Sequence, residues 1–178
     1  MNQGTTTQQQ QKQPTGTNWT YRFDFGNADS ETSDITVTFS KNGETFNPYR
    51  PPSLSCYSAD PSMLTYVIAR HLDTIEIQLL GPPGWMLQPE SVRVIVSRSI
   101  FALQGQRYSP FGGLTFINPQ GDMTGDLWTG RLGTVEASQV GRGASERYEM
   151  AIAFSVRLPS REEFYNFSYD PEMDVIGS

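Results

Sequence analysis

The sequence predicts an all-β domain built as a sandwich of two antiparallel sheets, with a closed β-barrel as the alternative architecture. Three observations carry this prediction. Apolar residues recur at every second position in segment after segment, no window of eleven or more residues shows a helical stripe, and the connections are rich in Gly, Pro, Asn and Asp. Seven or eight short strands spread over about 160 residues match the spacing of a sandwich better than that of a layered α/β fold.

Residues 1–17 are mostly Gln, Thr, Gly, Asn and Pro, with almost nothing apolar after Met1. Such a segment buries too little surface to offset the entropy of ordering it, so it reads as a flexible tail. The single domain is then 18–178. It opens with Trp19, Tyr21, Phe23 and Phe25 on one face and Thr20, Arg22 and Asp24 on the other, the pattern of a strand with one buried side. Ile35, Val37 and Phe39 repeat that alternation up to Asn42-Gly43, a strong hairpin turn signal. Pro48, Pro51 and Pro52 lack the N–H that a ladder needs, so the next strand is expected near Leu54 to Cys56.

Leu64, Tyr66 and Ile68 alternate, Arg70 to Asp73 make a turn, and Ile75, Ile77 and Leu79 alternate again before Gly81-Pro-Pro-Gly84, which reads as a second hairpin. Val92, Val94 and Val96 supply a further strand whose β-branched side chains suit a pleated surface, extending toward Phe101. Residues 104–146 carry only short apolar runs, Leu114 to Ile117 and Asp126 to Leu132, and read as a long loop-rich insertion. The clearest strand follows: Tyr148, Met150, Ile152, Phe154, Val156 and Leu158 share one face over a length that crosses a whole sheet. Tyr165, Phe167 and Tyr169, then Met173 and Val175, form a closing strand broken at Asp170-Pro171.

Composition narrows the function classes. The 178 residues are 37% hydrophobic and 18% charged, too apolar for a chain disordered throughout. The net charge is −6 and only Lys12 and Lys41 accompany eleven arginines, so there is no basic run for nucleic acid or an anionic membrane. Nothing approaches the roughly 18 apolar residues of a membrane span, and the N-terminus lacks the basic and apolar regions of an export signal. Cys56 is the only cysteine, so no intrachain disulfide is possible and a cytoplasmic setting is expected.

Chemistry-bearing groups are few. His71 is the one histidine and sits in the Arg70–Asp73 turn, which rules out a multi-histidine metal site; no nucleophile elbow occurs. Cys56 reads as a buried strand thiol acting as a small hydrophobe. Asp122 and Asp126, near Asn118 and Gln120, could offer oxygens to a hard cation such as calcium, or could serve as turn formers bonded to local backbone. No cofactor is expected. Trp85, Tyr108, Phe111 and Trp128 fall in loops or at loop edges, where rings could stack on a sugar or a partner protein; the plainer alternative has Trp85 and Trp128 plugging the open ends of the sandwich.

The segment Tyr165-Asn-Phe-Ser-Tyr-Asp-Pro-Glu-Met-Asp-Val-Ile-Gly177 resembles the closing strand of small bacterial β-sandwich proteins of the PixA/AidA inclusion-body and DP-EP type, in which Asp-Pro follows an aromatic-rich strand. The order of the Ile35–Phe39, Leu64–Ile68, Ile75–Leu80 and Tyr148–Leu158 strands looks similar too. The resemblance implies an intracellular, non-enzymatic sandwich and transfers no catalytic residue.

Two function classes result. The first is a non-catalytic assembly or binding module, expected to form homo-oligomers through the Trp19–Phe25 strand or the 104–146 segment, because lysine, the usual guard of open edges, is nearly absent. The second is a carbohydrate-binding protein or enzyme using surface aromatics and paired carboxylates.

Overall fold

The computed structural model describes residues 16–26, 35–49, 67–98, 109–112, 115–137, 140, 142–159 and 161–177. Thirteen strands are described: β1 (Asn18–Asp24), β2 (Thr36–Lys41), β3 (Glu44–Tyr49), β4 (Val67–Arg70), β5 (Thr74–Leu80), β6 (Met86–Leu87), β7 (Arg93–Arg98), β8 (Phe116–Ile117), β9 (Gly121–Thr124), β10 (Leu127–Thr134), β11 (Ser145–Arg157), β12 (Tyr165–Tyr169) and β13 (Glu172–Ile176). They form two sheets. The first runs β3-β2-β1-β5-β10-β9; the second runs β4-β13-β11-β7-β8, with β12 and β6 also paired to β11. The sheets stay open, so the sandwich is realised and the barrel is not.

The two inner faces meet through aromatic rings. Phe23 and Phe25 of the β1 side lie 5.2 and 5.6 Å from Phe154 of β11, and Phe25 lies 5.3 Å from Phe167 of β12, all edge-on. Edge-to-face rings at this spacing add attraction beyond the area they bury. Val94, Val96, Met150, Ile152 and Val156 complete the opposing wall, and Ile75, Ile77 and Leu79 complete the first. The alternating residues named from the sequence in β1, β2, β5, β7 and β11 are all buried.

Local signals explain the turns. Asn42 and Gly43 both take left-handed backbone angles (φ 51° and 83°), the conformation of a type I′ hairpin, and join β2 to β3. Pro48 lies inside β3 where the β2 pairing shifts register, at the edge of the sheet, the place where a missing N–H does least harm. At Gly81 and Gly16 an added Cβ would collide with the Trp85 ring and with the Leu72 carbonyl respectively, so the chain there depends on glycine for close approach. Asp73 anchors the start of β1: its buried carboxylate accepts from the Thr17 N–H (2.7 Å), the Trp19 Nε1–H (3.0 Å) and the Arg70 N–H (2.9 Å).

Several expectations are corrected. The sheets are mixed, because β1 runs parallel to β5 and β13 parallel to β4. The Arg70–Asp73 turn closes no hairpin: β4 belongs to the second sheet and β5 to the first, so the turn carries the chain between layers. In β4 the inward residues are Val67 and Ala69, set by their register opposite Met173 and Val175, so the described part buries the set one position out of phase with Leu64, Tyr66 and Ile68. The Trp19–Phe25 strand has no open side, being paired to β2 on one flank and β5 on the other. The 104–146 stretch is not only loop, since its β10 belongs to the first sheet, pairing with β5 from Leu127 to Thr134 and with β9 from Leu127 to Gly130. The expected strand near Leu54 to Cys56, the extension toward Phe101 and residues 1–15 of the tail lie outside the described residues.

Candidate interaction surface

Of the four aromatic residues singled out from the sequence, Trp85, Phe111 and Trp128 are buried and Tyr108 lies outside the described residues. Trp85 stacks on Phe25 at 6.1 Å with its ring over Gly81. Trp128 is an inward residue of β10 rather than a loop residue. Its indole lies across Gly130 and Gly121, where any Cβ would meet the ring, so the two glycines form its slot. Phe111 sits near Gly133. These rings serve the core. The Trp85 and Trp128 indole N–H groups and the Tyr21 hydroxyl are buried without a hydrogen-bond partner among the described residues, and burial, with the neighbouring Tyr169 second, pushes the Tyr21 phenol well above its ordinary pKa.

His71 is exposed on its turn. Asp122 stands on the outer face of β9 opposite Thr129, and Asp126 is in the following turn; both are exposed. Among the described residues no three His, Cys, Asp or Glu side chains converge as a metal site. No described helix is long and apolar enough to cross a membrane.

The surface that stands out is the flank where both sheets end. β8 closes the second sheet and β9 the first, and only Asn118, Pro119 and Gln120 separate them in the chain. Three residues are just enough to span the roughly 10 Å between packed sheets, so the two terminal strands share one side of the sandwich. On β8, Phe116 is 73% exposed, the most exposed large apolar residue described. It pairs across the ladder with Ile95 of β7, itself 40% exposed, and Ile95 pairs with Ala151 of β11. Directly opposed side chains lie about 5 Å apart, so the three make one apolar row on the outer face of the second sheet.

β9 is open in another way. All four of its residues are exposed, and among the described residues it pairs with β10 alone. Met123 faces inward beside Trp128, yet it is 47% exposed because it stands on the last strand, past the cover of the second sheet. Lys and Pro, the residues that usually guard an edge, are absent from Gly121-Asp-Met-Thr124.

The sequence points to the Trp19–Phe25 strand or to 104–146 as the contact and singles out none of Phe116, Ile95 and Met123. One signal was available: Ile95 is a β-branched apolar residue at the outward phase of the Val92, Val94, Val96 strand. For Phe116 and Met123 exposure follows from their strands being terminal, which local pattern does not encode. Comparisons with protein-family models, curated proteins and solved structures find no match to this chain.

Proposed function

We propose that the protein is a non-catalytic assembly module that associates with copies of itself along the β8–β9 flank. The observation that carries the reading is β9, a fully exposed strand whose outer side is unpaired among the described residues, on the same flank as the exposed Phe116. An open strand offers N–H and C=O groups that gain from a partner, and the exposed Phe116 ring on the terminal strand of the second sheet adds apolar area that water solvates poorly. A cytoplasmic setting goes with this reading, supported by the single cysteine. The carbohydrate alternative has no comparable support, because the described aromatic rings it would use are buried.

Light scattering from micromolar to sub-millimolar protein tests the proposal, combined with hydrogen exchange at both ends of that range. The expected result is a mass that rises above that of one chain, with slowed exchange at β8 and β9. A constant single-chain mass, or association that protects only other strands, overturns it.

A further inference from the structure

Resting on the assembly reading above, we infer that the occupant of the β9 edge is the β9 of a second copy, antiparallel across a two-fold axis, in a register centred on Met123. The turn after β9 fixes which groups are free. Gly125 and Asp126 join Thr124 to Leu127, and Gly125 has φ 61°, the first central residue of a two-residue type II′ hairpin. In such a hairpin the closing pair, Thr124 and Leu127, exchanges hydrogen bonds, and the pattern alternates from there. Asp122 therefore bonds to β10 as well, while the N–H and C=O of Met123 and Gly121 point away from the sheet. These are the groups that a neighbour would meet.

An antiparallel copy related by a two-fold axis normal to the sheet keeps outward side chains outward and sets one residue of β9 against its own copy; the two registers that overlap three of the four β9 residues are centred on Asp122 and on Met123. One sets Asp122 against Asp122 of the other copy, with carboxylates directly opposed, which is repulsive. The other sets Met123 against Met123 and Asp122 against Thr124, replacing a like-charge pair with a carboxylate facing a hydroxyl donor. In that register the two Met123 residues exchange both backbone hydrogen bonds across the axis, and their half-exposed side chains cover each other. The contact is isologous, so it closes as a dimer and does not propagate.

The experiment uses the full chain. Met123→Pro removes only an N–H that faces away from β10, a position where an edge strand tolerates proline. It should weaken association by roughly tenfold or more, since two hydrogen bonds of the dimer are lost, while leaving unchanged the melting midpoint of protein dilute enough to be single-chain. Independently, in a Cys56→Ser background, Met123→Cys should form a disulfide-linked dimer on mild oxidation, because Cα atoms of a hydrogen-bonded antiparallel pair lie about 5.5 Å apart. Thr124→Cys, which keeps the Asp122 carboxylate, should not, since the two residues would then be diagonal neighbours at about 7–8 Å. Association that Met123→Pro weakens without any cross-link at position 123, or faster cross-linking of Thr124→Cys than Met123→Cys, overturns the register while keeping the edge. Association that survives Met123→Pro with no cross-link at position 123 overturns the edge while leaving assembly along the flank in place. A single-chain mass for the unaltered protein at every concentration overturns both. Should Met123→Pro also lower the melting midpoint, the cysteine pair decides alone.

Discussion

β1 and β9 belong to the same sheet and have opposite fates. β1 looks from its sequence like the strand to make contacts, with Trp19, Tyr21 and Phe23 on one face, Phe25 just past its end and no proline, yet it lies between β2 and β5 with every ring buried. β9 looks like a loop, Gly-Asp-Met-Thr, yet it ends the sheet and stands open. Whether a strand is an edge depends on who pairs beside it. The partner that covers β1 is β5, a parallel neighbour more than fifty residues away, with Thr74 bonded to Asn18 across |i−j| of 56. Amphipathic pattern reports which face is buried and carries nothing about the two sides.

The sharpest way to separate the two strands is to remove what β1 packs on. Phe154→Ala should cost about 3–5 kcal/mol in chemical denaturation, because the ring fills the space between Phe23, Phe25 and Phe167. Glu149→Ala, at a partly buried outward position of the same strand, should cost far less. Asp73→Ala comes next. It leaves the Trp19 indole N–H and two backbone N–H groups without their acceptor, and a loss of about 2–3 kcal/mol is expected, read as a lower melting midpoint with faster exchange at Thr17 and Arg70.

On the β9 side, Gly121→Ala drives a methyl into the Trp128 ring and the Thr129 carbonyl. Overpacking of this kind costs about 1–3 kcal/mol, and the change in Trp128 fluorescence should accompany it. A cost near zero would mean that β9 moves aside freely, and would weaken the picture of it as a preformed edge. The smallest effect belongs to Tyr21→Phe. Removing a buried hydroxyl that has no partner among the described residues should leave stability at neutral pH equal or raised by up to about 1 kcal/mol. The sign reverses nothing at high pH. The folded state holds the Tyr21 phenol neutral while the unfolded chain ionises it above about pH 10, so stability falls as pH rises past that point, and the phenylalanine variant should lose less there.

Much of the layer architecture was legible. The strict alternation of β11 from Tyr148 to Leu158 identified a central strand, and Asn42-Gly43 identified a hairpin, because both are local signals with one structural solution. What was not legible is pairing at a distance. The Arg70–Asp73 turn has the composition of a hairpin, but β4 finds its partner in β13 and β5 finds its own in β1 and β10. β4 shows the same limit at the level of faces: Ala69 is small, and only its place opposite Val175 makes it core. The candidate surface was the least legible part. Trp128 sits amid glycines, a composition that reads as loop, whereas Gly121 and Gly130 are there to admit its ring.

β11 is paired along one side by β13 and β12 and along the other by β7 and β6, so the longest strand is a shared template for four others. Two of those four come after it in the chain, and β13 in turn holds β4 from the first half. Formation of the second sheet therefore includes long closures, from β7 to β11 and from β4 to β13, that lose chain entropy before their contacts repay it. This topology predicts slow folding on the millisecond-to-second scale of non-local β proteins. During that interval one long border of β11 is bare, so growth temperature and expression rate should govern the soluble yield more strongly than native stability does.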